Sequence, residues 1–442
     1  MAGAGVAAFV AGAALAFASM PGATSPRAAA LSSPQPSGTA APSTRVDSPP
    51  PTTTLTAPPT QPVASGPVPS TSAPPPTPSP TPLTPEQRDA LLLAELEKFR
   101  TAQAVPGITA TIQFPDGARW TGASGLADVA GKRPVTARTA FAVASVSKTF
   151  LAALILQFAH EGRFHIADRA YRYLPGIAID RRITIRMLLD HTSGLGDFFL
   201  NPKIDPLLQR DRARIWTTTE SLRFVPKRVF APGKGWYYSN TNYLLLGLIA
   251  ERAGHASLGE QYRERFFEPL DLTRTYVQVE EQRRGPLATA YRFEGPGKKR
   301  RPISLADGTG VAPFRSVITA AGGAAPIAST TDDLARWARA LYGGQVLDPA
   351  STAAISGDVL ATATFKPRIP YGLGAQAISI DGLATLGHSG RLLGSRAIVR
   401  YFPASGISIA VATNQSRTDP APLLARLALI AVPGAVAPPL AH

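Results

Sequence analysis

Prolines crowd one stretch of this chain: 17 of its 43 lie between Leu31 and Thr84. The rest of that stretch is mostly Ser, Thr and Ala, without apolar periodicity. Such a segment cannot bury enough surface to offset the entropy of ordering it. Residues 31–84 therefore read as a disordered, polyproline-II-rich linker with a full reach of roughly 160 Å. Any compact domain must be built from the residues after Thr84. The expected domain spans 85–432, with a flexible tail at 433–442.

Ahead of the linker, Ala2 to Met20 is apolar and uncharged. Residues 1–30 read as a signal peptide or an N-terminal membrane anchor, the span being just long enough to cross a bilayer at about 20 residues. Ala16-Phe17-Ala18 and Ala28-Ala29-Ala30 suit a signal peptidase, and no basic residue precedes the apolar run. Either way the expectation is an exported protein, secreted or attached to the cell envelope. Membrane contact is expected only through this segment, if it stays uncleaved.

The net charge is +15, and the segment before Pro85 holds only +1 of it. A basic surface suits anionic envelope polymers such as teichoic acids. No Lys/Arg run alternates with aromatics, so nucleic acid is not an expected partner. The absence of cysteine excludes thiol catalysis, disulfides, cysteine metal sites and a lipoprotein anchor. The six histidines include no His-x-x-x-His pair, and neither metal nor cofactor is implied.

Order should begin at Thr84-Pro85-Glu86-Gln87, an N-cap followed by proline at the first helical position. Leu92, Leu96 and Phe99 continue a helix to about Ala104. Gly107–Gln113 and Arg119–Ser124 read as a strand pair around Pro115-Asp116-Gly117. Helical spacing recurs over Phe150–Phe158, Asn242–Arg252, Thr330–Leu341 and Pro422–Ile430. Two more strands flank Pro403–Gly406. Strands at both ends with helices between predict an α+β fold: an antiparallel sheet built from both chain ends, flanked by helices, with a mostly helical subdomain inserted.

Three short motifs carry chemistry. Ser145-Val146-Ser147-Lys148 sits where a strand-like run meets a helix. Ser and Lys three apart share a helix face, and desolvation lets a lysine lose its proton near neutral pH. A serine hydroxyl needs such a base beside it. Tyr238-Ser239-Asn240 follows a Pro/Gly-rich turn. Its phenol can relay a proton if ammonium groups lower its pKa, and Asn240 can hold a substrate amide carbonyl. Gly387-His388-Ser389-Gly390 can wall a cleft, its glycines letting a substrate backbone lie close, and His388 can tune protons near pH 7. Each motif alone is common: a cap, a turn, a turn.

In this order and with these flanks, the three resemble the class C β-lactamase and D-alanyl-D-alanine carboxypeptidase superfamily of serine hydrolases. Ile183–Leu195, Tyr238–Gly247, Ala320–Gly323 and Tyr371–Gly374 also look like stretches of that family, and the likeness covers about residues 88 to 430. It implies a β-lactamase/transpeptidase-like fold. Ser145 would be the acylated nucleophile, Lys148 its proton partner, and Tyr238 the base and later acid. Asn240 would hold the substrate amide, and His388 would stand in the third motif. Ser389, Gly390 and Arg391 would line the substrate, with the backbone N–H groups of Ser145 and Arg391 as oxyanion hole. The Arg391 side chain either binds a substrate carboxylate or points to solvent. His191 reads as a structural turn beneath the site.

Two departures stand out. His388 replaces the lysine of true class C enzymes, and Gln376 sits near where a secreted carboxypeptidase places an arginine for the substrate carboxylate. The leading expectation is a D-Ala-D-Ala carboxypeptidase-like, penicillin-recognising amide hydrolase acting on a small molecule or peptidoglycan peptide, and a monomer. A secreted esterase using the same residues is the alternative. A catalytically retired wall-binding or sensor protein is the alternative of another class.

Overall fold

A computed structural model describes residues 83–295, 300–357 and 370–432. The expected signal or anchor segment, all but the last two residues of the linker, and the C-terminal tail lie outside the described residues. Helix α1 (Pro85–Ala102) starts as its sequence dictates: Thr84 accepts from the Gln87 backbone, and the Gln87 side chain accepts from Thr84 in return. It ends two residues short of the expected Ala104 because that residue turns left-handed, at φ 50°, ahead of Pro106.

Among the described residues, seven strands form the main sheet: β1 (Gly107–Gln113), β2 (Arg119–Asp128), β3 (Arg133–Pro134), β4 (Gln376–Ile380), β5 (Leu383–Leu392), β6 (Ser395–Phe402) and β7 (Ile407–Thr413). Their order is β3-β2-β1-β7-β6-β5-β4, antiparallel throughout. The chain ends meet at the β1–β7 pair, with Ile108 opposite Thr413 and Gln113 opposite Ser408. This is the α+β sheet the sequence led us to expect. Strand β2 runs past the expected Ser124 because Gly125, at φ 83°, lets the backbone pass Pro106; a Cβ there would lie 2.2 Å from the Pro106 carbonyl oxygen.

Period-2 alternation sends the two faces of β1 to different layers. Ile108, Ala110 and Ile112 join Leu92 and Leu96 of α1, together with Leu423, Leu424 and Leu427 of the last helix, Ala421–Ala431. Thr109 and Thr111 turn to the other face, where both bond the hydroxyl of Thr331. That second face carries the functional elements. They are α2 (Ser147–His160), α3 (Asn240–Gly254) and α4 (Thr331–Tyr342), capped by Thr330. Residues 163–325, between α2 and the short strand Ile327–Ser329, are mostly helix and turn, the expected inserted helical part.

Helix α2 is apolar on every side, from Phe150 through Phe158, and is buried almost all round. Phe150 stacks on Trp337 of α4 with ring centroids 3.9 Å apart, and Phe267 meets it edge-on at 5.7 Å. The Trp337 indole N–H donates to Thr149 at 2.8 Å, which fixes the stack. Phe150→Ala should therefore cost about 3–5 kcal/mol of stability, read as a fall in the denaturant midpoint. A loss below about 1 kcal/mol would show that this stack does not hold α2 in place.

Candidate active site

A short 3-10 turn, Ala144–Val146, precedes α2 and carries Ser145. Ala144 is held at φ 50° in the buried core, a strained setting for a residue with a Cβ. Ser145, the next residue, lies within hydrogen-bond reach of the side chain three residues on. Lys148 is fully buried, and its Nζ lies 3.0 Å from Ser145 Oγ, 2.9 Å from Asn240 Oδ1 and 3.0 Å from the carbonyl oxygen of Ala324. Burial pulls its pKa down to about 7, and the charge of Asp197 opposes that fall. At neutral pH a large share of this lysine is a free amine with its lone pair available to the serine hydroxyl.

Tyr238 stands over Lys148, whose Nζ is 5.2 Å from the ring centroid. Its hydroxyl is buried and completes no hydrogen bond of normal geometry, although Ser145 is near enough to oppose part of the burial penalty. Burial raises its pKa far above the usual phenol range. The reading of Tyr238 as base needs a lowered phenol pKa, and burial acts in the opposite direction. Burial favours the neutral form of both groups, the phenol of Tyr238 and the free amine of Lys148.

His388 is buried, and both ring nitrogens are taken. Nδ1 lies 2.7 Å from the Ser389 carbonyl oxygen and Nε2 lies 3.0 Å from the Tyr371 hydroxyl. A carbonyl only accepts, so Nδ1 carries the proton and Nε2 accepts from Tyr371. Burial, then Lys148, push its pKa well below the usual histidine value. Both nitrogens of His388 are committed to neighbours, and burial favours its neutral form. His191, in a left-handed turn at φ 64°, accepts on Nδ1 from the Ser239 N–H and from Asn242, and its ring lies 4.3 Å from that of Tyr238. Its ring packs against the tyrosine ring.

Strand β5 brings the third motif against the nucleophile. A Cβ on Gly390 would lie 2.1 Å from the Val143 carbonyl oxygen and 3.1 Å from the Ser145 nitrogen. The Ser389 N–H points to the β4 side of the strand, donating to Gln376 Oε1 at 3.1 Å. By the two-residue period of a strand the Arg391 N–H faces the same edge. It lies beyond the last β4 pair, Gly387–Gln376. The Arg391 side chain is half-buried and feels Arg396 and Asp419.

Sequence reasoning missed two groups. Asp197, buried two residues beyond the recognised Ile183–Leu195 stretch, accepts the Asn240 side-chain N–H at 2.8 Å. Asn240 thus points Oδ1 at Lys148. Arg400 is fully buried on β6. Its Nη2 reaches across Gly387 to Gln376 Oε1 at 2.6 Å, and Gln376 also accepts from Ser389. Burial lowers its pKa to about 10. An arginine does stand near the third motif, behind Gln376 rather than in its place. No local pattern marks either residue; the only signal was the Gly196-Asp197 turn after a familiar stretch.

Together these groups can take a proton from a serine hydroxyl, hold an acyl carbonyl and return the proton to a leaving group. Comparison with known proteins agrees with that chemistry. A family model described as Beta-lactamase matches residues 93–432. Penicillin-binding protein 4 of Amycolatopsis lactamdurans is 30% identical over 368 residues, 78% of this chain and 91% of its own. Penicillin-binding protein 4* of Bacillus subtilis is also 30% identical, over 51% of this chain and only 50% of its own length. Among solved structures, a D-stereospecific amidohydrolase from Streptomyces sp. has a TM-score of 0.63 at 28% identity, covering 74% of this chain and 94% of that one. An octameric penicillin-binding protein homologue from Pyrococcus abyssi shares the fold, with a TM-score of 0.64 at 22% identity over 77% of each chain.

Proposed function

This chain belongs to the beta-lactamase family and is a serine hydrolase, and from that premise we propose that it is an exported D-Ala-D-Ala carboxypeptidase-like amide hydrolase that recognises penicillins through an acyl-enzyme on Ser145. One observation carries the proposal: the Ser145 hydroxyl lies 3.0 Å from a buried lysine whose pKa is about 7. In the first step Ser145 Oγ bonds to the substrate carbonyl carbon while its proton passes to Lys148 Nζ. The carbonyl oxygen gains the negative charge and is received by the N–H groups of Ser145 and Arg391, each worth about 3 kcal/mol of barrier. The C–N bond then breaks. The amine leaves with a proton relayed from Lys148 by the Tyr238 phenol, and water completes turnover by the reverse route.

Amide cleavage is supported by the relatives, a penicillin-binding protein at 30% identity and a D-stereospecific amidohydrolase at 28%. The esterase reading has an observation of its own. Arg400 is wholly buried behind Gln376, so its guanidinium is not presented to a substrate carboxylate. A retired site fits poorly with a serine hydroxyl held against a buried amine. Export and a monomeric state complete the proposal, although the Pyrococcus abyssi neighbour is octameric.

Mass analysis after a fluorescent penicillin or a fluorophosphonate tests the reading. The adduct should map to Ser145. The neighbouring serines are committed elsewhere: Ser147 accepts from the Ile327 N–H, Ser193 donates to Asn242 and Ser239 donates to the Gly196 carbonyl. An adduct on one of these, with Ser145→Ala still active, would sink the assignment. The ratio of kcat/KM for D-Ala-D-Ala peptides and for esters then separates amidase from esterase.

A further inference from the structure

Asp197 has no part in the proton transfers above, yet it is a fully formed part of their surroundings. It is 4% exposed. One carboxylate oxygen accepts the Phe199 N–H at 3.1 Å, and the other accepts the Asn240 amide at 2.8 Å. The Asn240 backbone N–H adds to this hold, so the carboxylate also sits on the first residue of α3. Ser239, the formal cap, gives that helix no side-chain hydrogen bond and turns its hydroxyl to Gly196. The chain Asp197–Asn240–Lys148 is therefore continuous, with hydrogen bonds of 2.8 and 2.9 Å.

Burial raises the Asp197 pKa, and the hydrogen bonds from Phe199 and Asn240 together with the Lys148 charge hold it down; as a carboxylate it only accepts, so it receives the Asn240 NH2 group. That leaves Oδ1 as the atom facing Lys148 Nζ. The other groups around this lysine are the rings of Tyr238 and Tyr243 from α3 and the loop before it, His191 from the turn below, and His388 from β5. Both histidines are kept neutral by burial and both tyrosines are kept protonated by it. Asp190, next to His191, is occupied by the backbone and side chain of Thr192. Asp197 is the charge that opposes desolvation at Lys148, and it also disfavours a Tyr238 phenolate.

We propose that Asp197 is a positioning residue for the proposed reaction: it locks the Asn240 amide and holds Lys148 basic enough to accept the serine proton at neutral pH. The inference rests on the acyl-enzyme reading for its catalytic meaning, but its physical content is the protonation of Lys148, which can be read without turnover. Removing a negative charge lowers a nearby lysine's pKa. In Asp197→Asn the side chain keeps an acceptor for the helix end and loses the charge. The acid limb of the Ser145 acylation rate should then move down by about one pH unit, and the plateau should fall by about tenfold as the amine becomes a weaker base. Asp197→Glu, which keeps the charge, should restore the limb toward its parent position.

The experiment uses the full chain and measures the pH profile of acylation by a fluorescent penicillin, with thermal melting alongside. In parallel, the 13C shift of the Lys148 ε-carbon, assigned through Lys148→Arg, is titrated in parent and variants. A lower Lys148 pKa in Asp197→Asn, recovered in Asp197→Glu, supports the inference even if Ser145 proves not to be the acylated residue. An unchanged Lys148 titration and an unmoved limb, with only a lower melting temperature, would reduce Asp197 to a helix cap. If Asp197→Asn does not fold, Asp197→Glu and Asp197→Ser carry the same comparison.

Discussion

Lys148→Met should lower the acylation rate of Ser145 by about three orders of magnitude, the worth of a positioned general base, and flatten the rise of stability between pH 7 and pH 10. The two effects have one cause. A lysine with an unfolded pKa near 10.4 is held at about 7 by burial. At pH 7 the unfolded chain binds more protons at this position than the folded chain does. Burying the residue therefore costs about 4 kcal/mol there. The penalty is full below about pH 7 and fades as pH rises toward the unfolded value, so stability should climb across that window. Methionine matches the stem, removes the cost and flattens the climb. Urea unfolding at pH 7 and pH 10 measures it, and a variant whose stability climbs over that window as the parent's does would contradict the assignment of Lys148 as a buried amine with a lowered pKa. Tyr238→Phe should lose a comparable factor in rate, because the leaving group then lacks its relay. The double variant should lose little more than either single, since groups acting as one unit are not additive. Fully additive losses would mean that the two handle different protons. His388→Ala should cost far less, its nitrogens being committed to Ser389 and Tyr371.

The parts legible in the sequence were those set by near neighbours along the chain. Thr84 and Gln87 announced the first helix, and the spacing of Phe150, Leu154 and Phe158 announced the second. Serine and lysine three apart, next to a helix start, were readable as a pair that could touch. What escaped was set by distance in sequence. Asp197 meets Asn240 across 43 positions, and Arg400 meets Gln376 across 24. Neither contact leaves a periodic trace, because each depends on where two separate elements are packed. The direction of the Tyr238 pKa was hidden for a related reason. The sequence places a lysine near a phenol but carries no measure of how dry the space between them is. Burial raises the phenol and lowers the amine together. The turn of an arginine behind Gln376 was equally hidden: the strand pattern gives alternation, but not which side chain crosses a glycine to reach the next strand.

Gly390→Ala should cut kcat by about a hundredfold or more and leave the fold largely intact. The added carbon would lie 2.1 Å from the Val143 carbonyl oxygen and 3.1 Å from the Ser145 nitrogen. Both are backbone atoms, and Val143 is tied to Ile327 by its own N–H, so the turn carrying the nucleophile cannot yield cheaply. The strand must withdraw by about 1 Å to reach ordinary contact. Strand β5 can do so while keeping its ladder to β6, since Gly390 faces Ala397 across an otherwise regular pair. The withdrawal carries the Arg391 N–H with it and widens the gap to the Ser145 N–H. An oxyanion would then be met by one donor in place of two, in a site that no longer holds the carbonyl in line. KM should change less than kcat, because the loss falls on charge that develops only in the transition state. Ser389→Ala is the useful control: it removes one donor to Gln376, whose oxygen keeps the Ser389 N–H and Arg400, and adds no atom against the turn. Its kcat should stay within a few-fold of the parent. If Gly390→Ala kept the parent rate, β5 would not be pressed against Ser145, and the oxyanion pocket would have to be built from another pair of donors.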